Sequence, residues 1–528
     1  MFLNHIKKLS IKGFKKFSSL EVDFNEHMNV LVGENEAGKS TILDALRTVL
    51  NQQYRASDKA ILRDLFNADM VTAFQANPSI ETLPRIVIEV ELELDPKQRN
   101  ADYFHGEVYG NLKRQTEKYG IRFECRFDEE VGDGLDESIR EGKIPYEYYA
   151  LTWITFANRP YQIVKRPVNV ISIDTSNNAT TASFNYYNKT LFASKYDEGM
   201  RTKAKNTFRD QLNEAFDRIG LPEIDEKRKF GVDGKKVILE SILSVYEDSI
   251  SLENRGSGME SLVKTKIALD KKNGLDIILL EEPENHLSFS SMRKMMQEIS
   301  AKQVSSQIIV ATHSNMIASR LNLNNVLWIT DEGAKSLGSV DSDVAKFFVK
   351  ADDNAFLQLL LAKKAILVEG ATEFLLVPYF YKKMTGRTVE DDEVAVISCN
   401  GISYKKYLAI AESTNKIIAV ITDNDGKQNR IDDASAFNYE HCLQHIFMAS
   451  DVKGWTWEAC IYELNKAKLE QLIEVKAGAK YLFHEKDYGV FLGKMLNNKV
   501  DVAYLMLTSG EEFEAPQYLK DAIIWISK

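Results

Sequence analysis

The sequence is poor in the residues that mark cross-linked, zinc-binding or membrane-spanning chains. It has four cysteines and ten prolines among 528 residues, and no two cysteines form a CxxC pair. We therefore expect free thiols in a reducing cytosol rather than a disulfide framework. No apolar run approaches the roughly 20 residues that span a bilayer, and Met1–Phe14 alternates apolar and basic side chains, unlike a signal peptide. The expectation is a cytoplasmic protein without membrane contact.

The chain also lacks an excess of positive charge and a sustained heptad pattern. Its 77 acidic and 67 basic residues give a formal net charge of −10, which argues against a protein that coats DNA with a generally basic surface. A local basic channel stays open as an alternative. With 44% apolar residues, the length suffices for two to four packed domains.

Residues 33–40 form a complete G-x-x-x-x-G-K-[ST] motif. Met28–Val32 has the pattern of a buried strand and Ile42–Leu50 that of a helix, which is the setting of a phosphate-binding loop. In such a loop the backbone N–H groups surround phosphate, Lys39 reaches the β- and γ-phosphates, and the Ser40 hydroxyl ligates Mg²⁺. The residues predicted to bind ATP here are Gly33, Asn35, Gly38, Lys39, Ser40 and Thr41.

A later apolar strand supplies the acids that such a loop requires. Ile277–Leu280 is followed directly by Glu281 and Glu282. We expect Glu281 to bind ATP-associated Mg²⁺ and Glu282 to act as the catalytic acid that polarises the attacking water.

Two further motifs stand in the order typical of an ABC-type ATPase. Ser257 and Gly258 open a glycine-rich helix start before the acidic strand, and His313 follows the next strand. In that class the glycine–serine helix of one subunit covers the γ-phosphate held by the other, and His313 would contact the γ-phosphate. The long interval before the acidic strand leaves room for a compact insertion, with a helix over Lys203–Ile219 and a strand-like Val237–Tyr246.

A second cluster of acids follows two strands in the C-terminal part. Ala365–Val368 precedes Glu369, and Ile417–Thr422 precedes Asp423 and Asp425. Because the carboxyl ends of parallel strands meet at one edge of a sheet, we expect these three carboxylates to lie close together. Carboxylate oxygens suit Mg²⁺ or Mn²⁺, and such clusters serve two-metal phosphodiester chemistry.

The combined motifs resemble a known family. Val368-Glu369-Gly370 with Asp423-Asn424-Asp425 is similar to a Toprim domain. An ABC-type ATPase followed by Toprim resembles the OLD (overcoming lysogenisation defect) nuclease family, which includes the nuclease subunit of the Gabija anti-phage system. The resemblance covers nearly the whole chain, and Ile11–Phe14, Glu281–Leu287 and Thr312–Ser314 also carry it.

The resemblance implies roles for individual residues in the second site. Lys499 would steady the transition-state phosphate, with Lys494 as its close competitor. The implied metal ligands are Glu369, Glu373, Asp423, Asp425 and Glu458, and the implied catalytic residues are Glu369, Asp423, Asp425 and Lys499. His286–Phe289 departs from the family pattern, because the histidine and proline that many relatives carry after the leucine are missing.

The expected fold is α/β, with an ABC-type P-loop ATPase domain, a compact inserted dimerisation region and a C-terminal Toprim domain. The expected ranges are 1–177 and 246–350 for the ATPase domain, 178–245 for the helical insertion and 360–528 for the Toprim domain. The family implies an ATP-regulated, metal-dependent DNA endonuclease in anti-phage defence, with ATP and Mg²⁺ or Mn²⁺ as cofactors. It also implies dimers or tetramers through the ATPase region. A complex with a helicase-like partner protein, as in a Gabija-like system, and a stand-alone nuclease both stay open.

Two other functions remain open from the sequence. The first is an ABC-type ATPase that senses or scaffolds and carries an inactive or differently used Toprim domain, against which the intact Glu369, Asp423 and Asp425 argue. The second is a Toprim enzyme for another phosphoryl substrate, as in RNA priming or nucleotide hydrolysis. Primases and topoisomerases share the acidic edge but lack the order of ATPase motifs.

Overall fold

The structure is a computed structural model that describes most of the chain. The described residues are 3–55, 57–106, 117–130, 135–174, 188–189, 191–193, 195–222, 224–225, 228, 230–233, 237–247, 249–251, 276–285, 287–302, 306–314, 317, 323–330, 333–337, 355–399, 404–476, 478 and 480–528. The chain divides into two compact units, Met1–Leu321 with Asn325–Ser336, and Leu337–Lys528 with Asn322–Asn324. The domain ranges expected from the sequence stay predictions.

The described part of the first unit is built on two large sheets with helices packed on them. Its strands are β1 (His5–Phe14), β2 (Phe17–Asp23), β3 (Met28–Val32), β4 (Ile86–Glu93), β5 (His105–Gly106), β6 (Lys118–Phe127), β7 (Tyr149–Thr155), β8 (Val170–Asp174), β9 (Tyr246–Glu247), β10 (Ile250–Ser251), β11 (Ile277–Glu281), β12 (Gln307–Ala311), β13 (Val326–Thr330) and β14 (Gly333–Ser336). Its α-helices are α1 (Lys39–Asn51), α2 (Leu62–Leu65), α3 (Ala68–Ala76), α4 (Asp136–Arg140), α5 (Glu198–Ile219), α6 (Leu239–Ile242) and α7 (Phe289–Lys302).

The two sheets of the first unit differ in strand direction. One is antiparallel, in the order β2-β1-β4-β6-β5 with β7 paired to β6, and the other has the order β14-β13-β3-β12-β11-β8. In the second sheet every described pair except β13–β14 is parallel. All residues of β3, β11 and β12 are buried, as expected for the apolar strands of a parallel sheet that is covered on both faces.

Helix α1 contacts strands of both sheets, and its far end is fixed by side-chain hydrogen bonds. The indole Nε1 of Trp153 donates to the carbonyl oxygen of Thr48, and the Tyr161 hydroxyl donates to that of Leu50, each at 2.8 Å. The Gln52 amide returns a hydrogen bond of 2.9 Å to the carbonyl oxygen of Tyr161. These contacts satisfy carbonyl groups that the last turn of a buried helix would otherwise leave unpaired.

The segment between the two parts of the parallel sheet differs from its sequence prediction. The helix expected from Lys203 begins at Glu198, because the Asp197 carboxylate accepts a hydrogen bond of 2.8 Å from the Met200 N–H and caps the first turn. The strand-like Val237–Tyr246 instead contains the short helix α6, and only Tyr246 enters a strand. Among the described residues, no neighbouring strand pairs with 237–245, and an isolated strand leaves its backbone hydrogen bonds unmade.

The second unit is a parallel α/β layer with a helical C-terminal part. Its strands are β15 (Lys364–Val368), β16 (Val394–Ser398), β17 (Ile417–Ile421), β18 (Gln444–Phe447), β19 (Leu482–Phe483) and β20 (Lys486–Asp487). Its helices are α8 (Ala355–Leu361), α9 (Ala371–Thr385), α10 (Tyr404–Thr414), α11 (Gln428–Glu440), α12 (Trp457–Leu472), α13 (Val490–Asn497), α14 (Lys499–Thr508) and α15 (Gln517–Ile526).

The strand order of this second sheet locates its functional edge. The order is β16-β15-β17-β18 and all three pairings are parallel. The chain therefore reverses its direction of winding between β15 and β17, and in open α/β sheets ligands bind at such a reversal, beyond the carboxyl ends of the strands. Within the described ranges of both units, no helix is long and apolar enough to be a transmembrane span.

Candidate nucleotide and metal sites

Three strand ends of the first unit meet at one edge of its parallel sheet. Ala311 of β12 pairs with Leu31 of β3 and with Glu281 of β11. The loop after β3, Glu282 after β11 and His313 after β12 therefore leave the sheet side by side. The order of the sequence motifs predicts this juxtaposition, and the register of the strands accounts for it.

Lys39 is the first residue of α1 and lies inside the loop that precedes it. Its Nζ donates to the carbonyl oxygens of Gly33 and Glu34, both at 2.8 Å, and the residue is 5% exposed. Burial lowers the pKa of this ammonium to about 8, although the carboxylates of Glu282, Glu284 and Glu34 oppose the shift. A phosphate group in the loop would supply the negative charge that the buried ammonium lacks.

Two positions of the loop accept only glycine. Gly38 has a φ of 99°, and a Cβ there would lie 2.3 Å from a ring carbon of Phe17. A Cβ on Gly33 would lie 2.5 Å from the carbonyl oxygen of Ile329. Side chains at either position would force the loop away from β13 and from the antiparallel sheet, so the glycines allow the tight turn that brings backbone N–H groups together.

The remaining predicted nucleotide-binding residues divide into exposed and buried ones. Asn35 and Ser40 lie on the exposed side of the loop, whereas Thr41 is buried in the first turn of α1. The Ser40 hydroxyl is thus open to a ligand where the motif predicts Mg²⁺ coordination. The first turn of α1 carries no acidic residue, which leaves the positive end of the helix dipole available to an anion.

Glu281, the predicted Mg²⁺ ligand, has a cationic partner from α1. Its Oε2 lies 2.7 Å from a guanidinium nitrogen of Arg47, and the two side chains are 5% and 13% exposed. Arg47 also donates to Asp44 at 2.9 Å and to the Ser172 hydroxyl at 2.7 Å. The acid at the end of β11 is therefore neutralised from the helix that carries the phosphate-binding loop.

Glu282 and His313 contact each other at the open edge of the sheet. The Glu282 Oε1 lies 3.3 Å from the His313 Nε2, and the Glu282 Oε2 accepts a hydrogen bond of 2.8 Å from the Asn285 amide. Burial lowers the pKa of His313, and the ammonium of Lys39 lowers it further. The neighbouring Glu282 carboxylate opposes this shift, and the lowered pKa favours the neutral imidazole.

Glu284 anchors the loop that carries His313. Its Oε1 accepts hydrogen bonds from the Thr312 hydroxyl at 2.5 Å and from the backbone N–H groups of His313 and Ser314, both at 3.0 Å. Burial raises the pKa of this carboxyl, although these donors oppose the shift. The sequence prediction included His313 but missed its anchor, and the Ser257 and Gly258 that it also assigned to ATP lie outside the described residues.

In the second unit, Glu369 and the acids after β17 occupy the reversal point of the sheet. Val368 pairs with Ile421, so Glu369 stands opposite Thr422. The Glu369 Oε2 accepts hydrogen bonds from the Thr422 hydroxyl at 2.9 Å and from the Asp423 N–H at 3.2 Å. The predicted convergence of Glu369 with Asp423 is therefore present in the structure.

Thr456 joins Asp423 to Glu458. Its hydroxyl lies 2.9 Å from the Asp423 Oδ2 and 2.7 Å from the Glu458 Oε2, and the Trp457 N–H donates to the Asp423 Oδ1 at 2.8 Å. The Lys499 Nζ lies 3.0 Å from the same Glu458 oxygen. Glu458, which is 2% exposed, thus has a hydroxyl and an ammonium around one carboxylate oxygen.

Two carboxyls of this cluster, those of Asp423 and Glu373, have raised pKa values. Burial raises the pKa of Asp423 to about 8, and the charges of Glu369, Glu373 and Glu458 contribute to the rise. Burial likewise raises the pKa of Glu373 to about 7, with Glu458 and Glu369 adding to the effect. The Glu373 Oε2 accepts a hydrogen bond of 3.2 Å from the Gly370 N–H, which places it in the first turn of α9.

The donor set fits a divalent cation by its chemistry. Among the described residues, no three His, Cys, Asp or Glu side chains are already arranged to hold a metal ion. The four acids Glu369, Glu373, Asp423 and Glu458 nevertheless offer hard oxygen ligands, and their mutual repulsion is the feature that Mg²⁺ or Mn²⁺ would relieve. Hydrogen bonds at each Asp423 oxygen still leave lone pairs for a cation.

The structure separates the other predicted members of this site. Asp425 has a φ of 51°, and its carboxylate pairs with Arg430 rather than with the groups that hold Asp423 and Glu458. Of the two competing lysines, Lys499 reaches the acidic cluster, whereas the Lys494 Nζ donates to the backbone carbonyl of Glu474.

Sequence reasoning missed two of the connecting residues. The sequence contains one indication of the role of Arg47, which is its i,i+3 spacing from Asp44 on a helix. Thr456 left none, since a threonine two residues before a predicted ligand has no special pattern.

Two protein-family models match the chain. Residues 360–425 match the model described as "Overcoming lysogenization defect protein-like, TOPRIM domain", and residues 8–271 match the model described as "AAA domain".

The curated relatives match short segments. The DNA replication and repair protein RecF of Lactococcus lactis is 28% identical over 101 residues, 19% of this chain and 27% of that protein. The chromosome partition protein Smc of Lactiplantibacillus plantarum is 33% identical over 100 residues, 19% of this chain and 7% of that protein. The chain thus spans about a quarter or less of the length of these two relatives.

Similar solved structures include an SMC head bound to the C-terminal winged-helix domain of ScpA. This structure is 15% identical, covers 63% of this chain and 97% of that chain, and has a TM-score of 0.34. The C-terminal region of the Burkholderia pseudomallei OLD protein is 16% identical, covers 31% of this chain and 97% of that chain, and has a TM-score of 0.25.

Proposed function

Since the chain belongs to the OLD-like proteins, in which an AAA-type ATPase domain is followed by a TOPRIM domain, we propose that it is an ATP-regulated, metal-dependent DNA endonuclease. The observation that carries the proposal is that Glu369, Asp423 and Glu458 converge with Lys499 at one place. This place is the reversal point between β15 and β17, in the sheet of the second unit. The substrate is DNA, and the reaction is hydrolysis of a phosphodiester bond, as a nick or a double-strand break.

The second unit would carry the hydrolysis. Glu369, Glu373, Asp423 and Glu458 would hold Mg²⁺ or Mn²⁺, whereas the exposed Asp425 is paired with Arg430. When bound, the cations activate a water molecule and stabilise the leaving oxygen. The neighbouring ammonium of Lys499 would donate to a non-bridging oxygen of the phosphate.

The first unit would bind and hydrolyse ATP and so regulate cleavage. Its buried Lys39 exchanges two backbone carbonyl partners for phosphate oxygens, and the exposed Ser40 with Glu281 would hold the Mg²⁺ of the nucleotide. Glu282, which contacts His313, would accept a proton from water, and His313 would contact the γ-phosphate. Ser257 and Gly258 of a second copy would complete the nucleotide site, which makes a dimer or tetramer part of the proposal.

Plasmid nicking tests the proposal directly. Supercoiled plasmid is incubated with the protein and Mg²⁺ or Mn²⁺, with and without ATP. We expect metal-dependent nicking that Asp423→Ala abolishes and that Asp433→Ala, an exposed acid on α11, leaves unchanged. We expect Lys39→Ala to lose ATP turnover and to alter the response of nicking to ATP. Absence of cleavage with either metal and any nucleotide, also with a helicase-like partner present, contradicts the proposal.

A second candidate function is an ATPase that senses or scaffolds without cutting DNA. It is favoured by the observation that no three acids in the described part of the chain are pre-arranged around a metal ion. In that case ATP turnover persists in the wild type and nicking is absent under every condition.

The biological setting is part of the proposal. An ATP-regulated DNA nuclease fits anti-phage defence in the cytoplasm, with a helicase-like protein as partner. Loss of phage protection in cells that carry Asp423→Ala, with normal protein levels, is the expected result.

A further inference from the structure

A cavity of about 760 Å³ opens in the second unit beside the buried acids. It lies between the loop after β18, one face of α12, the start of α13 and the first turns of α15. Aromatic residues Trp455, Tyr488 and Tyr518 line it, together with the Cys460 thiol. Its volume falls within the range of sites that bind nucleoside-sized molecules.

The cavity shares its wall with the proposed catalytic cluster. The Trp455 carbonyl oxygen accepts a hydrogen bond of 3.1 Å from the Asp425 N–H, and the following loop residues hold Asp423. Glu458 and Cys460 both lie in the first turn of α12, and Cys460 lines the cavity. The segment from Trp455 to Cys460 therefore borders both the cavity and the acidic cluster.

An aromatic surface continues from the cavity toward the lysine of the site. The rings of Trp455 and Tyr488 are 5.0 Å apart at 32°, and Phe483 of the β19–β20 hairpin lies 6.3 Å from Trp455. The Lys499 Nζ lies 6.0 Å from the Phe483 ring centroid. Trp455, Phe483 and Tyr488 are all partly exposed, so ring faces are available for stacking.

The charged groups that line the cavity are mostly carboxylates. Asp451, Glu463 and Asp521 contribute carboxylates, and Lys453 is the single lysine among the lining residues. Carboxylates repel phosphate but accept hydrogen bonds from the amino groups of adenine, cytosine and guanine. The cavity thus suits a base, and the backbone phosphate is directed toward the cations and Lys499 outside it.

We propose that this cavity takes an unstacked nucleobase of the substrate strand next to the scissile phosphate, with preference for amino-bearing bases over thymine. The inference rests on the proposed function for its substrate. Enzymes that do chemistry on a base extrude it into a pocket, and proteins that bind single strands stack bases on aromatic side chains with little dependence on sequence. The favoured substrate is therefore single-stranded, mismatched or locally opened DNA.

The test measures binding without cleavage. Fluorescence anisotropy in EDTA measures the binding of three labelled single-stranded oligonucleotides. The three strands differ only at one position, which is adenine, thymine or abasic, and the positions on either side of it are abasic in all three. We expect the adenine strand to bind about tenfold more tightly than the abasic strand. Trp455→Ala and Tyr488→Ala remove that difference, and Asp521→Asn reduces the preference for adenine over thymine. Tyr439→Ala, an exposed tyrosine on α11, is the matched control.

The outcomes distinguish this inference from the proposed function. Equal binding of adenine and abasic strands overturns the inference, whether or not plasmid is cut. The inference is also overturned if the wild type distinguishes adenine from abasic strands and the folded Trp455→Ala and Trp455→Phe variants both still do so. If an arginine-rich peptide displaces the oligonucleotide and the base at the test position has no effect on binding, the cavity is assigned to a partner protein instead. Base discrimination that persists in Asp423→Ala supports the inference, and it does so even if no nicking is found.

Discussion

The guanidinium of Arg47 lies 2.7 Å from the carboxylate of Glu281, and both side chains are nearly buried. The pair joins α1 to the end of β11. The acid that we propose for the Mg²⁺ of the nucleotide is thus already neutralised before any ligand arrives, and the cation competes with Arg47 for it. A buried charge that loses its partner is strongly destabilising, whereas loss of both partners costs less.

Arg47→Met is expected to lower the free energy of unfolding of the first unit by about 3–5 kcal/mol, because Glu281 is left buried without its cation. Urea denaturation measures the change. The double variant Arg47→Met/Glu281→Gln is expected to lose less than the single change at Arg47. Arg63→Met, at an exposed position on α2, is the control. Additive losses in the double variant contradict the coupling.

Nucleotide affinity is expected to fall as the pH rises above 8. The pKa of Lys39 is about 8 without nucleotide, and bound phosphate raises it because an anion favours the ammonium. Affinity is therefore full below pH 8 and declines up to about tenfold per pH unit above it. Titration with a fluorescent ATP analogue at about pH 7 and about pH 9.5 measures the change, and circular dichroism at both values checks that the fold persists. Equal nucleotide affinities at the two pH values would contradict the lowered pKa of the buried Lys39 ammonium.

Stability without metal is expected to fall as the pH rises from about 4 to about 8, because Asp423 binds its proton more tightly when folded than when unfolded. The stabilising effect of this raised pKa is full below the ordinary pKa of an aspartate and is lost as pH passes the folded value. Asp423→Asn removes this contribution. In EDTA, the melting temperature of the variant therefore rises relative to that of the wild type as the pH increases. Mg²⁺ is expected to stabilise the wild type most at high pH. Parallel pH curves for both proteins contradict the prediction.

Lys499→Met is expected to reduce cleavage about a hundredfold, the effect typical of removing one charge-stabilising donor. The reason is the position of the ammonium, 3.0 Å from Glu458 within the acidic cluster. Lys494→Met is the matched control on the preceding helix, because its ammonium donates to the Glu474 carbonyl instead. Single-turnover nicking assays with equal metal concentrations compare the two. Equal losses in both variants would contradict the assignment.

The sequence predicted the buried strands and the acids at their ends, because short apolar runs that end in acids have few alternatives in a parallel α/β fold. It predicted less well where the determinant is contact between distant parts of the chain. The helix turn within Val237–Tyr246 and the pairing of Asp425 with Arg430 depend on which neighbours are present. Periodicity along one segment contains no information on them.

The candidate site shows the same limit, because contacts between distant parts of the chain are not visible in the pattern of one segment. Strand register places Glu369 opposite Thr422, and that register follows from apolar patterns that are visible in the sequence. Thr456 joins Asp423 to Glu458 through one hydroxyl, and its position depends on how the loop after β18 returns to the sheet. The convergence of Glu369 with Asp423 was thus predictable, and the position of Thr456 was not.

The hydrogen bonds from Trp153 and Tyr161 to the last turn of α1 have a mechanical consequence. A helix held only by its loop could slide along its axis when phosphate arrives. This helix is tied at its other end to β7 and the segment after it, so any axial shift pulls on the antiparallel sheet. The phosphate-binding loop and the β7 region are therefore connected through α1, so that a displacement of the helix at one end is resisted at the other.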